Sequence, residues 1–501
     1  MKKIQSGNTE GVNGKKPSGN IEGVNGEKPS DIFEGQYEER MKRIQELLCI
    51  DKNFDILHRQ LAIGGRKASM FVVDGFLRTA VSEKVLEFFY SIQEEDMPRD
   101  YAEFVEKYAP YADIMTIDTQ EKFIQFLLSG MSCFLIEGYQ EIIAFDFREY
   151  PSRSIEEPDK DKVLRGSRDG FIESLVPNAA LIRRRIRDVN LIFEIQQIGR
   201  SSKTDVAVVY MKDRVKEASL KEIKRRLQNI DVDSLTMNKE SLSEMLFPRN
   251  WYNPFPRFKY SERPDTAAAC LLEGSIILLV DNSPAAMILP TSLFSILEDA
   301  NEYYFPPVTG TYLRMTRMLT SIIAIYITPV FLLLLQNPQW VPEWLEFILI
   351  KDKVNVPPVI QLLILEFAID GLKMASINTP NMLTTPLSIV AGIVFGDYTV
   401  SSGWFNSEIM LYMAFVAVAN YTQSNMELGY AIKFFRILCL VLTAWLGLPG
   451  FIAGSILLAG FLIGNPVLVG KGYLYPLIPF NGRQLLKRFF RVSLPYSEKR
   501  G

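Results

Sequence analysis

The chain has 501 residues, 48% of them hydrophobic, and a formal net charge of −3. That length leaves room for a soluble core beside a membrane part, and the near-neutral balance excludes a global basic field that would recruit nucleic acid. Four isolated cysteines and the single histidine, His58, cannot assemble a zinc or haem site from the usual ligand spacings, so no metal or cofactor is expected.

A twelve-residue tandem repeat opens the chain, SGNTEGVNGKKP over Ser6–Pro17 and SGNIEGVNGEKP over Ser18–Pro29. Nearly empty of apolar groups, residues 1–30 cannot offset their ordering entropy and read as a disordered tail. The start holds two lysines but no apolar run, so no signal peptide is expected and insertion proceeds through internal spans.

Residues 31–150 carry the pattern of a first α/β subdomain. Helical spacing covers Tyr37–Ile50 and Val81–Ile92, Met70–Val73 reads as a short strand, and Cys133–Ile136 with Ile142–Phe147 reads as a hairpin around Glu137-Gly138. The charged stretch Pro151–Gly170 marks a boundary, and residues 151–310 form a second α/β subdomain. Its elements are a helix over Asn178–Ile186, strands over Leu191–Ile198 and Thr204–Met211, and an amphipathic helix over Ser219–Asn229. The cluster Arg183-Arg184-Arg185 has two readings, contact with anionic lipid or a solvated, salt-bridged face. Two apolar strands, Ile276–Val280 and Ala286–Leu289, flank the turn Asp281-Asn282-Ser283-Pro284. One helix over Leu293–Tyr304 would end in an aromatic pair at the membrane interface.

Residues 315–470 are dominated by apolar runs and read as an α-helical transmembrane bundle of four to six helices. A span needs roughly 20 residues to cross about 30 Å of hydrocarbon. Met318–Leu335, Val356–Leu372, Pro386–Trp404 and Ile409–Gln423 supply four, and Ala431–Val469, broken at Gly447–Gly450, supplies a helical hairpin or a re-entrant loop. The segment 471–501 has seven Lys and Arg against one acid, Glu498. It is expected to stay in the cytoplasm with the N-terminal half, which requires an even number of crossings.

Within Val359–Lys373, VIQLLILEFAIDGLK, the charges Glu366, Asp370 and Lys373 fall on one helical face. An ionisable group at bilayer depth costs several kcal/mol at least, roughly, so it faces protein or water rather than lipid. Glu366, Asp370, Asp397 and Asn420 are the candidate ion-path residues, because oxygens supplied by several subunits compensate part of a cation's lost hydration. A proton relay would use the same groups. The spacings Gly392/Gly396, Gly450/Gly454 and Gly460/Gly464 allow close helix packing within or between subunits. No nucleophile–base pair or phosphate-cradling loop stands out, so an enzyme is not expected.

These residues carry a family resemblance. Arg263-Pro264-Asp265, Leu272-Glu273-Gly274, Asp281-Asn282-Ser283-Pro284, Glu298-Asp299 and Tyr303-Tyr304 occur in order, after Glu173-Ser174-Leu175, Leu181–Ile186 and Ile198-Gly199-Arg200. The chain resembles the A-subunit family of GerA-type spore germinant receptors from about Asp51 to Arg491. Its membrane half matches one branch of that family through Ala375–Thr379, Pro386–Asp397, Tyr412–Asn420 and Tyr473–Asn481. It departs from the family at Ile369–Ala375, where many members have Glu-Ala-Gly-x-Arg-x-Pro.

The resemblance implies a multi-pass protein of the spore inner membrane, with both termini cytoplasmic. It implies a homo-oligomeric cation channel or channel subunit that works with other germination membrane proteins in the lipid bilayer. Such complexes release monovalent cations from the spore core, and this branch is held to amplify that release. The rivals are a nutrient-germinant receptor A subunit that binds a small ligand, a secondary transporter and a structural scaffold.

Overall fold

The computed structural model describes residues 31–109, 113–151, 162–247, 252–378, 392 and 398–491. The repeat tail therefore lies outside the described residues.

The N-terminal half builds one topology twice. In the first module, Tyr37–Leu48 (α1) precedes the hairpin Ile56–Ile63 (β1) and Arg66–Val73 (β2). Thr79–Ser91 (α2) and Tyr101–Tyr108 (α3) lead to Ile114–Ile117 (β3); Gln120–Leu128 (α4) then leads to the hairpin Ser132–Ile136 (β4) and Ile142–Phe145 (β5). The antiparallel sheet has the order β1-β2-β4-β5-β3.

The second module repeats the plan. Leu175–Arg185 (α5), Leu191–Ile198 (β6) and Thr204–Met211 (β7) are followed by Glu217–Gln228 (α6) and Lys239–Leu246 (α7). Lys259–Ser261 (β8), Pro264–Leu272 (α8), Ile276–Val280 (β9) and Ala286–Leu289 (β10) complete it, in the order β6-β7-β9-β10-β8. Strand for strand the two orders are the same.

Both central strands are continuous apolar runs because both faces of each sheet are covered. Side chains alternate between faces. Ile276, Leu278 and Val280 enter one core of the second module while Ile277 and Leu279 enter the other. In the first module, Phe134 and Ile136 face one core, Cys133 and Leu135 the opposite one.

The modules are locked together at α5. Arg183 is fully buried and grips Asp55 of the first module at 2.7 and 3.2 Å, while Phe193 N–H donates to Asn53 Oδ1 at 2.8 Å. Arg185 pairs with Asp169 at 2.6 Å and Arg184 lies over the Tyr150 ring. Arg183 and Arg185 are thus ion-paired within the protein, while Arg184 is exposed, in keeping with the salt-bridged, solvated reading of the run.

The expected helix over Leu293–Tyr304 is two short ones, Leu293–Leu297 (α9) and Asn301–Tyr304 (α10). Glu298 is extended between them, and Asp299 Oδ1 accepts the Asn301 N–H at 2.8 Å. This is the local competition by which Asp side chains break helices.

The C-terminal half contains Pro307–Gln336 (α11), Pro358–Asn378 (α12), Ser407–Tyr421 (α13), Met426–Leu446 (α14), Leu448–Ile463 (α15) and the short Gly482–Phe489 (α16). Of these, α11 and α14 are long and apolar enough to cross a membrane; α13 and α15 are apolar but shorter. Most of the expected span Pro386–Trp404, with Gly396 and Asp397, lies outside the described residues.

Contacts give the helices their direction. Gly310, at the start of α11, packs on Glu302, while Gln336 at its end reaches the carbonyls of Thr443 and Ala444, late in α14. The first half of α14 packs beside the second module, Leu428, Ala431 and Phe435 sharing a cluster with Phe255, on which Phe435 stacks. So α11 and α14 both lead away from that module. Gln361, early in α12, bonds Asn406 just before α13, whereas Gln423, after α13, meets Ser321. Thus α12 and α13 lead back, as does α15, whose Phe461 carbonyl and following Asn465 reach Asn253. Leu468 and Val469 then bury in the second module's core, and Leu293 N–H donates to the Tyr473 carbonyl at 2.8 Å.

Candidate functional site in the helical bundle

Glu366 and Asp370 stand one turn apart on α12; Lys433 and Arg436 stand three apart on the facing α14, so each pair shares a helical side. Arg436 Nε donates to Glu366 Oε1 at 2.6 Å and Nη2 to Oε2 at 2.9 Å. Its remaining arm donates to the Ala324 carbonyl of α11 at 2.9 Å. Glu366 is 2% and Arg436 0% exposed. Lys433 donates to the Glu366 carbonyl at 2.9 Å and pairs with the Asp370 carboxylate.

Two acids thus meet two bases, and a bidentate Arg–carboxylate pair with satisfied donors is the form a buried charge tolerates best. Glu366, one of the expected path residues, is enclosed by protein and bound to Arg436 of the facing helix. Sequence reasoning missed Lys433 and Arg436. The signal was two cations three residues apart inside an apolar run, the mirror of the acids on α12.

Beside this cluster, α12, α13 and α14 enclose a cleft of about 140 Å³. Asp370 and Asn420, both expected path residues, line it together with Lys373, Tyr430 and Lys433. Asn420 Oδ1 is buried and accepts no hydrogen bond among the described residues. Lys373 Nζ sits over the Tyr430 ring, 4.7 Å from its centroid. The cleft brings together Asp370 and Asn420, leaves Glu366 in its ion pair, and Asp397 lies outside the described residues.

A second charged cluster ties the modules to the bundle. Glu302, 0% exposed, holds Arg314 at 2.6 Å and also Arg317, both near the start of α11. Glu298 accepts from Arg488 of α16 at 2.6 Å and lies 3.7 Å from Arg314. Burial alone would raise the Glu298 carboxyl, but Arg488, Lys259 and Arg314 outweigh it and hold it below its usual range. Tyr304 donates to Asp265, which holds Arg263 at 2.6 Å. The motif pieces Glu173-Ser174-Leu175 and Asp281-Asn282 also meet: Leu175 N–H donates to Asp281 Oδ1 at 3.2 Å and Asn282 N–H to the Glu173 carbonyl at 2.7 Å. These motif residues serve turns, caps and the module–bundle joint.

The glycine spacings differ in use. A Cβ on Gly450 would lie 1.9 Å from the Leu442 carbonyl oxygen, and one on Gly454 would lie 3.0 Å from Cys439 Cα, so this pair sets the approach of α14 and α15. Gly447, at φ +65°, makes the turn between them. A Cβ on Gly460 or Gly392 would meet nothing within 4 Å, and Gly464 approaches only the Gly460 carbonyl.

The family profile described as "Bacillus/Clostridium GerA spore germination protein" matches residues 42–501. This chain belongs to the GerA family of spore germination proteins. The GerA-family chain is 33% identical to stage V sporulation protein AF of Bacillus subtilis over 450 residues, 89% of this chain and 91% of that one. Spore germination protein GerLA of Bacillus cereus is 29% identical, over 91% of this chain and 92% of that protein. The crystal structure of the N-terminal domain of the A subunit of the Bacillus megaterium spore germinant receptor GerK3 is 27% identical. It covers 50% of this chain and 94% of that one, with a TM-score of 0.40. A further GerA relative, 25% identical, is named as a membrane protein, YfkQ of Bacillus subtilis. With two helices long and apolar enough to cross a bilayer, the GerA-family chain is a membrane protein.

Proposed function

We propose that this chain is the membrane-embedded subunit of an oligomeric cation path that releases, or amplifies release of, monovalent cations from the spore core during germination. The observation that carries the reading is the meeting of Asp370 and Asn420 in one cleft of the helical bundle. Carboxylate and amide oxygens there can replace part of a cation's hydration shell. Lys433 offsets Asp370 within one subunit, so conduction requires oxygens from several subunits, to which Asp397 is assigned on sequence grounds. Glu366 holds α12 on α14 and stands outside the path.

In this reading α11 and α14 lead away from the modules and α12, α13 and α15 lead back. Both ends of the helical bundle, the start of α11 and the segment after α15, pack on the second module, so an even count is needed and six passes satisfy it. The basic tail supports a cytoplasmic position, in the spore core, for that side. The charged joint of Glu298, Glu302, Arg314 and Arg488 couples module movement to α11. Other germination membrane proteins are the expected partners.

The test is potassium efflux from triggered spores carrying the double substitution Asp370→Asn with Lys433→Met, which removes both charges together. The expected result is release slowed at least about tenfold at equal protein level, an effect of the size of one lost charge-assisted contact. Unchanged kinetics would take the cleft out of the path. The same cleft supports a second reading, a receptor A subunit that binds a small ligand, which predicts saturable ligand dependence shifted by Asn420 variants.

A further inference from the structure

The cleft between α12, α13 and α14 holds two unmet demands of opposite kind. Asn420 Oδ1 is a buried acceptor with no donor among the described residues, and a buried polar atom left this way calls for a partner. Lys373, lining the same cleft, has no carboxylate partner among the described residues; its ammonium rests on the Tyr430 ring. An ammonium over an aromatic ring keeps its remaining donors directed outward for an anion.

Asp370 adds a carboxylate to the same wall, already shared with Lys433. An acceptor amide beside a carboxylate favours a cationic donor over a hydroxyl, since hydrogen bonds to charged groups are the stronger ones. The space, about 140 Å³, is close to the roughly 150 Å³ that accommodates a benzene-sized molecule elsewhere.

We infer that this cleft binds a small zwitterion, its primary ammonium on Asn420 Oδ1 and Asp370 and its anionic group on Lys373. The inference rests on the ligand-site reading of the cleft and is independent of conduction. Two sources offer this chemistry: a soluble aminoalkyl phosphate, or the headgroup of a phosphatidylethanolamine lipid, since the cleft lies toward the module end of the bundle, where headgroups of that leaflet gather.

The test uses the purified full chain in detergent, with phosphoethanolamine as probe and thermal stabilisation and calorimetric titration as readouts. Ethylammonium, inorganic phosphate and glycerol 3-phosphate supply each half alone or a hydroxyl in place of the ammonium. Phosphoethanolamine is expected to bind at least about tenfold tighter than any of the three, the scale of one hydrogen bond to a charged group. Asn420→Leu and Lys373→Met should each weaken it by about tenfold or more, and Asn420→Asp should retain it. In nanodiscs, selective retention of phosphatidylethanolamine over phosphatidylglycerol, lost in Lys373→Met, would assign the lipid source; competition by soluble phosphoethanolamine alone would assign the free one.

No binding to the wild-type chain in either arm would overturn the inference, as would binding indifferent to both Asn420→Leu and Lys373→Met. Equal binding of glycerol 3-phosphate would overturn the ammonium assignment. Because no readout is ion flux, failure here leaves the conduction test untouched, and failure of conduction leaves this one standing.

Discussion

Arg436 of α14 closes two arms of its guanidinium on the Glu366 carboxylate of α12, at 2.6 and 2.9 Å, and sends the third to the Ala324 carbonyl of α11. One side chain thereby ties three helices of the bundle. The cost of burying each charge is met only while the partner is present.

Glu366→Ala is therefore expected to destabilise the protein by about 3–5 kcal/mol, because it strands a buried guanidinium. The double substitution Glu366→Leu with Arg436→Met should recover most of that loss. Thermal unfolding in detergent checks both, and equal stability of Glu366→Ala and wild type would refute the pairing.

Asp55 and Arg183 make the corresponding lock between the two N-terminal modules, with side chains 2% and 0% exposed. Asp55→Ala should cost about 3–5 kcal/mol and raise proteolysis at the module boundary. Proteolytic rate and melting temperature are the measurements.

Gly450 admits no side chain without moving the Leu442 carbonyl, whereas Gly460 faces open space. Gly450→Leu should therefore destabilise the α14–α15 hairpin by at least about 1–3 kcal/mol, the range for overpacking. Gly460→Leu should leave the subunit folded; if that face serves association, it will shift the oligomer in size-exclusion chromatography.

Glu298 bears on acid stability. Its carboxyl is held below its ordinary value of 4.5 by Arg488, Lys259 and Arg314, acting against burial. A depressed carboxylate contributes stability that is present above its unfolded value and lost as pH falls through its folded one. Between wild type and Glu298→Gln, the stability difference should thus be largest near neutrality and shrink below about pH 4.5. A difference that grew on acidification would contradict the joint described above.

Seven of the ten strands and most helices were legible because their apolar patterns are strong. Thr204–Met211, Ile276–Val280 and Ala286–Leu289 fall where alternation and turn chemistry put them. Strands β1, β3 and β8 were not; all three are edge strands, and in β1 outer positions, Arg59 and Gln60 among them, are exposed and polar. The repeated strand order was also hidden, because topology depends on pairing at distance. In the bundle, membrane depth singled out Glu366, Asp370 and Asn420 but not the cation that pairs with Glu366. Depth tells that an acid must be sheltered; only the fold tells by which cation. The transporter rival rested on the break at Gly447–Gly450, which proves to be the turn between the complete helices α14 and α15.

Electrical recording of the purified chain reconstituted in planar bilayers tests cation conduction most directly. Discrete potassium-selective current steps, absent from protein-free bilayers and suppressed by Asp370→Asn with Lys433→Met, are the expected result. Potassium flux that saturates and follows a coupled gradient, or current steps unaffected by that double substitution, would contradict it.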